Sequence, residues 1–182
     1  ELKSNFPEAL NGIGILFKER GDLESAIENY RKAITLKPDF AEAYNNLGNA
    51  LNNRGEFALA NKNLKKAITL KPNFIEAHRH LAYIQKYDGS EEHIRELLSL
   101  YNTAELNEND RLNLCFALGK IFEDIKEFEK SFRFLSEGNG LQKEMLQYSF
   151  QKDKKLFSTI KNKFEGIPIN ELFLPVRTNG KT

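Results

Sequence analysis

P-E-A-L-N-G-I-G-I-L-F-K-E-R-G-D-L-E-S-A-I-E-N-Y-R-K-A-I-T-L-K-P-D-F (7–40) is followed at once by A-E-A-Y-N-N-L-G-N-A-L-N-N-R-G-E-F-A-L-A-N-K-N-L-K-K-A-I-T-L-K-P-N-F (41–74). Laid over each other without a gap, the two segments are identical at 16 of 34 positions. The matches include Gly14/Gly48, Gly21/Gly55, Ala26/Ala60, Ala33/Ala67 and Pro38/Pro72, and a shared K-A-I-T-L-K-P tail. A fixed period of this length means a stack of small supersecondary units, each too thin to bury its own apolar face.

Each unit reads as two amphipathic helices. Tyr44, Leu47 and Leu51 fall at i, i+3 and i+7, one face of a helix. Gly48 lets a second helix come close, and Gly55 stands where the first must stop in a left-handed conformation. Ala60, Leu64 and Ala67 form the inner face of the second helix. Pro72 ends the unit, with Asn73, and Asp39 one repeat earlier, expected as N-caps of the helices that follow.

Length, small-residue pattern and terminal proline resemble the tetratricopeptide repeat, and the first unit fits at Leu10, Ile13, Gly14, Phe17, Ala26, Tyr30, Ala33 and Pro38. The resemblance implies an all-α fold: a right-handed superhelix of antiparallel hairpins whose first helices line a concave groove, followed by a longer C-terminal helix and an irregular tail. Repeat 1 is residues 7–40 and repeat 2 residues 41–74. Residues 75–102 read as a degenerate third repeat, with a first helix over Ile75–Tyr87 and Ser90 capping a second through about Tyr101. A polar connection at 103–110 leads to a fourth unit over 110–139, carrying Cys115, Leu118, Gly119, Phe122, Phe128, Ser131, Leu135 and Gly138 in the small and apolar slots. Residues 140–165 are expected to be capping helices that break near Gln147–Gln151, and 166–182, with two prolines and no helical period, a linker or tail.

Glu1–Leu10 aligns with Thr35–Tyr44, so residues 1–6 are expected to be the end of a preceding repeat. Three later strings, H-R-H-L-A-Y-I (78–84), D-R-L-N-L-C-F-A-L-G-K-I-F-E-D-I (110–125) and F-E-K-S-F-R-F-L-S-E-G-N (128–139), go beyond the generic repeat. They resemble the segment that joins repeats to the catalytic domain in bacterial tetratricopeptide-repeat sulfotransferases. That resemblance implies a downstream catalytic domain in the natural protein, using 3′-phosphoadenosine-5′-phosphosulfate, for which this chain would present the acceptor. The phosphate-binding P-R-S-G-T-T loop of that family is not in the sequence, so no active-site residue carries over and the chain alone is expected to be no enzyme and to hold no cofactor.

Composition narrows the partners. Twenty-seven Lys+Arg against 26 Asp+Glu leave a formal charge of +1, which argues against a nucleic-acid or anionic-membrane surface. Apolar runs are too short for a membrane span. A single cysteine, Cys115, excludes a disulfide framework and fits a reducing, cytoplasmic setting. Cys115 fills a packing slot and reads as core rather than nucleophile. The N-G-K-T at 179–182 lacks the first glycine of a phosphate loop, since Pro175 stands there. His78 takes the packing slot of Leu10 and Tyr44, and His80, two residues on, points to another face, so the pair cannot share an ion and no metal is expected.

The groove is the informative surface. The inward positions of the second repeat's first helix hold Glu42, Asn45, Asn46, Asn49, Asn52 and Asn53. Asparagine is a poor helix former, yet its amide can donate and accept at once and so hold the N–H and C=O of an extended peptide. The ladder resembles the repeat region of O-GlcNAc transferase, which grips protein backbone. The plainer alternative is a polar surface, or a spacer element that binds nothing. Glu76, Arg79, His80 and Tyr83 in the third repeat and Asn113, Phe116 and Lys120 in the fourth extend the strip. The expected site for a protein or peptide ligand is Asn45, Asn46, Asn49, Asn52, Asn53, Arg79, His80, Tyr83 and Lys120. The carboxylate clamp of chaperone-binding repeats is not matched: its positions hold Asn11, Ile15, Asn46, Glu76 and His80, and only Asn46 fits.

Overall fold

The computed structural model describes residues 6–89, 92–103, 106–146 and 150–165. These residues contain nine α-helices and no strand. The helices are α1 (Pro7–Glu19), α2 (Leu23–Leu36), α3 (Ala41–Asn53), α4 (Phe57–Leu70), α5 (Ile75–Ile84), α6 (Glu92–Tyr101), α7 (Glu108–Asp124), α8 (Phe128–Met145) and α9 (Phe150–Phe164). The chain divides into two compact units, residues 1–142 and 143–182.

In the first unit the repeat dictates the packing. α1 pairs with α2 and α3 with α4 as hairpins; α3 also packs on α2, and α5 on α4, so each hairpin covers the last. First helices lie beside first helices, α1 by α3, α3 by α5 and α5 by α7. This is the stacking of a tetratricopeptide-repeat superhelix. A Cβ on Gly48 would stand 2.7 Å from Leu64 Cγ, so the hairpin closes only because that side chain is missing. Gly14 against Tyr30 and Gly119 against Leu135 repeat the device. Gly21 and Gly55 take φ of +81° and +85° at the hairpin turns, a region side chains rarely adopt. Ala26, Tyr30, Ala33, Ala60, Leu64 and Ala67 are wholly buried along α2 and α4.

The caps differ from expectation. α3 and α5 begin with Phe40 and Phe74 at N-cap, without a side-chain cap bond, rather than with Asp39 and Asn73. The chain turns tightly after the proline, with Phe40 N–H donating to Lys37 O and Phe74 N–H to Lys71 O. That turn places a ring, not a carboxylate or amide, at the helix entrance, and Lys37 Nζ and Lys71 Nζ sit 4.6 and 4.8 Å from those ring centroids. Each lysine also reaches a glutamate of a first helix, Lys37 to Glu8 at 2.8 Å and Lys71 to Glu42 at 3.0 Å.

In the later hairpins α5 stops at Ile84, three residues short of Tyr87, because Gln85 turns extended. α7 begins at Glu108, earlier than expected, because Asn107 rather than a later residue caps it: its side chain accepts from Asp110 N–H. α7 is enclosed on several sides, burying Leu112, Leu114, Cys115, Ala117, Leu118, Ile121 and Phe122. Cys115 has no exposed surface, and burial pushes its thiol up to about 12, so it is a neutral core residue. Ser90, expected as a cap, and the segments 1–5 and 166–182 lie outside the described residues.

In the second unit, α9 carries Leu156, Phe157 and Ile160, all exposed, beside Lys154, Lys155, Lys161 and Lys163. No helix among the described residues is long and apolar enough to cross a membrane.

Candidate functional site

The parallel first helices bring residues one repeat apart into register, and their polar side chains bond across the seam. Asn46 Nδ2 donates to Asn11 Oδ1 at 2.9 Å. His80 Nδ1 donates to Asn45 Oδ1 at 2.9 Å, and Arg79 Nη1 to Asn113 Oδ1 at 2.6 Å. With His80 Nδ1 carrying the proton, its Nε2 is free to accept from Asn49 Nδ2, 3.5 Å away. Burial, the largest influence on His80, lowers its basicity, with Arg79 and Lys18 adding to the effect and Glu76 opposing it. The ring is therefore a neutral hinge between α3 and α5.

Two cavities open along this seam. The first, about 290 Å³, is lined by Asn49, Asn52, Leu64, Arg79, His80, Tyr83 and Ile84. The second, about 520 Å³, lies toward α7 and also has Arg79 and His80 in its wall, joined by Glu76, Asn109, Asp110 and Asn113. Five of the nine expected site residues thus meet in one cavity: Asn49, Asn52, Arg79, His80 and Tyr83. Arg79 lies with its guanidinium 6.0 Å from the Tyr83 ring centroid. Its Nε is buried and has no hydrogen-bond partner among the described residues.

The other four stand elsewhere. Asn45 is 1 % exposed and its oxygen is taken by His80, so it cannot touch a ligand and instead positions the imidazole; this corrects its assignment as a contact residue. Asn46 is committed through its Nδ2 to Asn11. Asn53 is exposed at the last turn of α3 and lines neither cavity. Lys120 is paired with Asp124, a carboxylate that also stands 3.6 Å from Lys86, so its charge is spent within the fold. Sequence reasoning missed Asn109 and Asp110, which reach the second cavity from the start of α7. Their signal was the polar stretch before that helix, read as a connection.

Comparison with known proteins agrees with this architecture. One family model, described as TPR repeat, matches residues 16–55, and a second, described as Tetratricopeptide repeat, matches residues 41–74. The chain therefore carries tetratricopeptide repeats. Among solved structures it is similar to the crystal structure of MamA, with 22% identity, a TM-score of 0.57, and coverage of 80% of this chain and 84% of that one. A MamA RS-1 ArsTM double mutant matches at 20% identity and a TM-score of 0.56, over 79% of each chain. The first TPR of Spaghetti (RPAP3) bound to the HSP90 peptide SRMEEVD matches at 18% identity and a TM-score of 0.45, over 71% of this chain and 95% of that one. No curated protein matches the chain. The likeness to MamA concerns the fold alone.

Proposed function

We propose that the first unit is a protein-interaction scaffold that holds an extended polypeptide along the seam between α3, α5 and α7. The observation that carries this reading is the pair of cavities that share Arg79 and His80 in their walls. Asn49 and Asn52 supply amides in the first cavity that can pair with peptide N–H and C=O. Tyr83, 52 % exposed, offers a ring face for an apolar or basic side chain.

The test is a peptide-display selection on the intact chain, followed by fluorescence anisotropy with the selected peptide. Asn49→Ala with Asn52→Ala is expected to weaken binding by about fivefold per lost bond, or roughly 1 kcal/mol each, with Tm nearly unchanged. Asn46→Ala would be the wrong choice, since Asn46 is already bonded to Asn11. Undiminished binding by the double variant would remove the reading.

A further inference from the structure

His78 on α5 and His93 on α6 are fifteen residues apart, yet His78 Nδ1 lies 2.8 Å from His93 Nε2. The ring planes differ by 15° with centroids 5.0 Å apart, a separation that the N···N distance and the two ring radii account for. The rings therefore meet edge to edge through nitrogen. Their outer nitrogens are also held, His78 Nε2 at 2.7 Å from Pro72 O and His93 Nδ1 at 2.7 Å from the Tyr87 hydroxyl. A carbonyl only accepts, so His78 Nε2 carries the proton and His78 Nδ1 is a lone pair. Glu96, one turn along α6 from His93, brings a carboxylate to the same place: the three ligand atoms lie within 4.8 Å of one another.

We propose that His78 Nδ1, His93 Nε2 and the Glu96 carboxylate form a binding site for one divalent transition-metal ion of the zinc class, with a fourth position left to water. Two imidazoles and a carboxylate are a donor set that zinc takes in four-coordinate sites. The bond from His78 Nε2–H to Pro72 O is the kind of support that fixes the tautomer and aim of a metal-bound imidazole. Metal–nitrogen bonds of about 2.0–2.1 Å at a tetrahedral angle set the two nitrogens about 3.3 Å apart, so the rings must open by about half an ångström and each tilt to aim its lone pair at the ion. Both imidazoles are already neutral near pH 7: burial is the main cause, taking His93 down to about 4 with help from His78 and Lys65, and lowering His78 against the pull of Pro72 O and Glu96. The proton count closes. The His93 proton moves from Nε2 to Nδ1, which frees the Nε2 lone pair for the metal, and the Tyr87 oxygen changes from donor to acceptor toward Nδ1, so no net proton is released. Pro72 and Glu96 line a cavity of about 570 Å³ that also carries Thr69 and Ser99, so the carboxylate edge of the site borders solvent while the two rings lie behind it. The spacing rule that excludes a shared ion for His78 and His80 does not reach this pair, which comes together from two helices.

The experiment uses the full chain, freed of any histidine tag and treated with chelator. Titration with Zn²⁺ by calorimetry is expected to show one ion per chain. Co²⁺ should give the intense visible absorption of a four-coordinate ion. A hundredfold excess of Zn²⁺ over its Kd should raise Tm by roughly 5–10 °C. Glu96→Gln, at an exposed position, should weaken binding by about tenfold or more, and His93→Gln should abolish it. If His93→Gln does not fold, nitrogen chemical shifts of the imidazoles in the native protein decide: Zn²⁺ must move His78 Nδ1 and His93 Nε2. No one-to-one binding, affinity unaffected by Glu96→Gln, or shifts confined to His80 would each overturn the proposal.

Discussion

The first two hairpins and the next two solve the same packing problem by different means. Over residues 7–74 the contacts are copies of each other: glycine against a large side chain, alanines along the second helix, lysine over phenylalanine and onto glutamate. Past residue 75 the same hairpin geometry is kept by individual polar and aromatic clusters. Tyr101 stands edge-on to Phe134, whose ring lies face to face with Phe122. Glu137 accepts from Tyr101 Oη and Arg111 Nε, each at 2.6 Å, and Ser131 Oγ donates to Gly119 O at 2.8 Å inside the core. A repeat can lose its consensus without losing its fold when specific contacts take over the seam.

If that contrast is right, the heaviest losses belong to the diverged half. Phe134→Ala removes a ring that is 2 % exposed and leaves Tyr101 and Phe122 facing a void. It is expected to cost about 3–5 kcal/mol in chemical denaturation. A value under 1 kcal/mol would mean that the aromatic cluster is not what holds α8.

Glu137 gives a smaller and pH-dependent effect. Burial alone would raise its carboxyl, but hydrogen bonds from Tyr101 and Arg111, with the Arg111 charge, outweigh that and hold it below the ordinary 4.5. A carboxyl depressed in the fold contributes stability above its unfolded value and loses it as the pH falls through the folded one. Glu137→Gln should therefore cost about 1–2 kcal/mol at pH 7, and the gap from the native protein should close in acid. A gap unchanged down to pH 3 would show that shape, not charge, matters there.

Lys71→Ala marks the lower bound. Its bond to Glu42 joins two side chains that are each 46 % exposed, and its ammonium also lies over the Phe74 ring, so the expected loss is about 1 kcal/mol or less. Recurrence in both repeats makes the pair visible without making it strong.

The same contrast explains what could be read from residues alone. The glycine, alanine and proline slots were legible because steric needs repeat with the period. The Phe40 and Phe74 caps were not, because Asp39 and Asn73 satisfy the composition rule one residue too early and only the turn geometry shows which residue stands at the cap. Asn45 and Asn49 are indistinguishable as letters in a ladder; one is buried under His80 and the other lines a cavity, a difference of depth that the helical position does not encode. The His78–His93 pair joins two helices through a diverged connection, so neither period nor spacing announced it. The strings at 78–84, 110–125 and 128–139 fall mainly on α5, α7 and α8, and the structure explains many of their residues as packing and seam contacts of those helices.

The central claim is that a polypeptide lies along α3 and α5 at Arg79. The most direct measurement is two-dimensional NMR of the labelled chain, titrated with a peptide selected by display, following the side-chain N–H signals of Asn49, Asn52 and Arg79. These signals and the Tyr83 ring are expected to move together and saturate at one peptide per chain, with Asn45 following only through His80. Shifts gathered instead on the outer faces of α2 and α4, with Arg79 Nε–H unmoved, would contradict it.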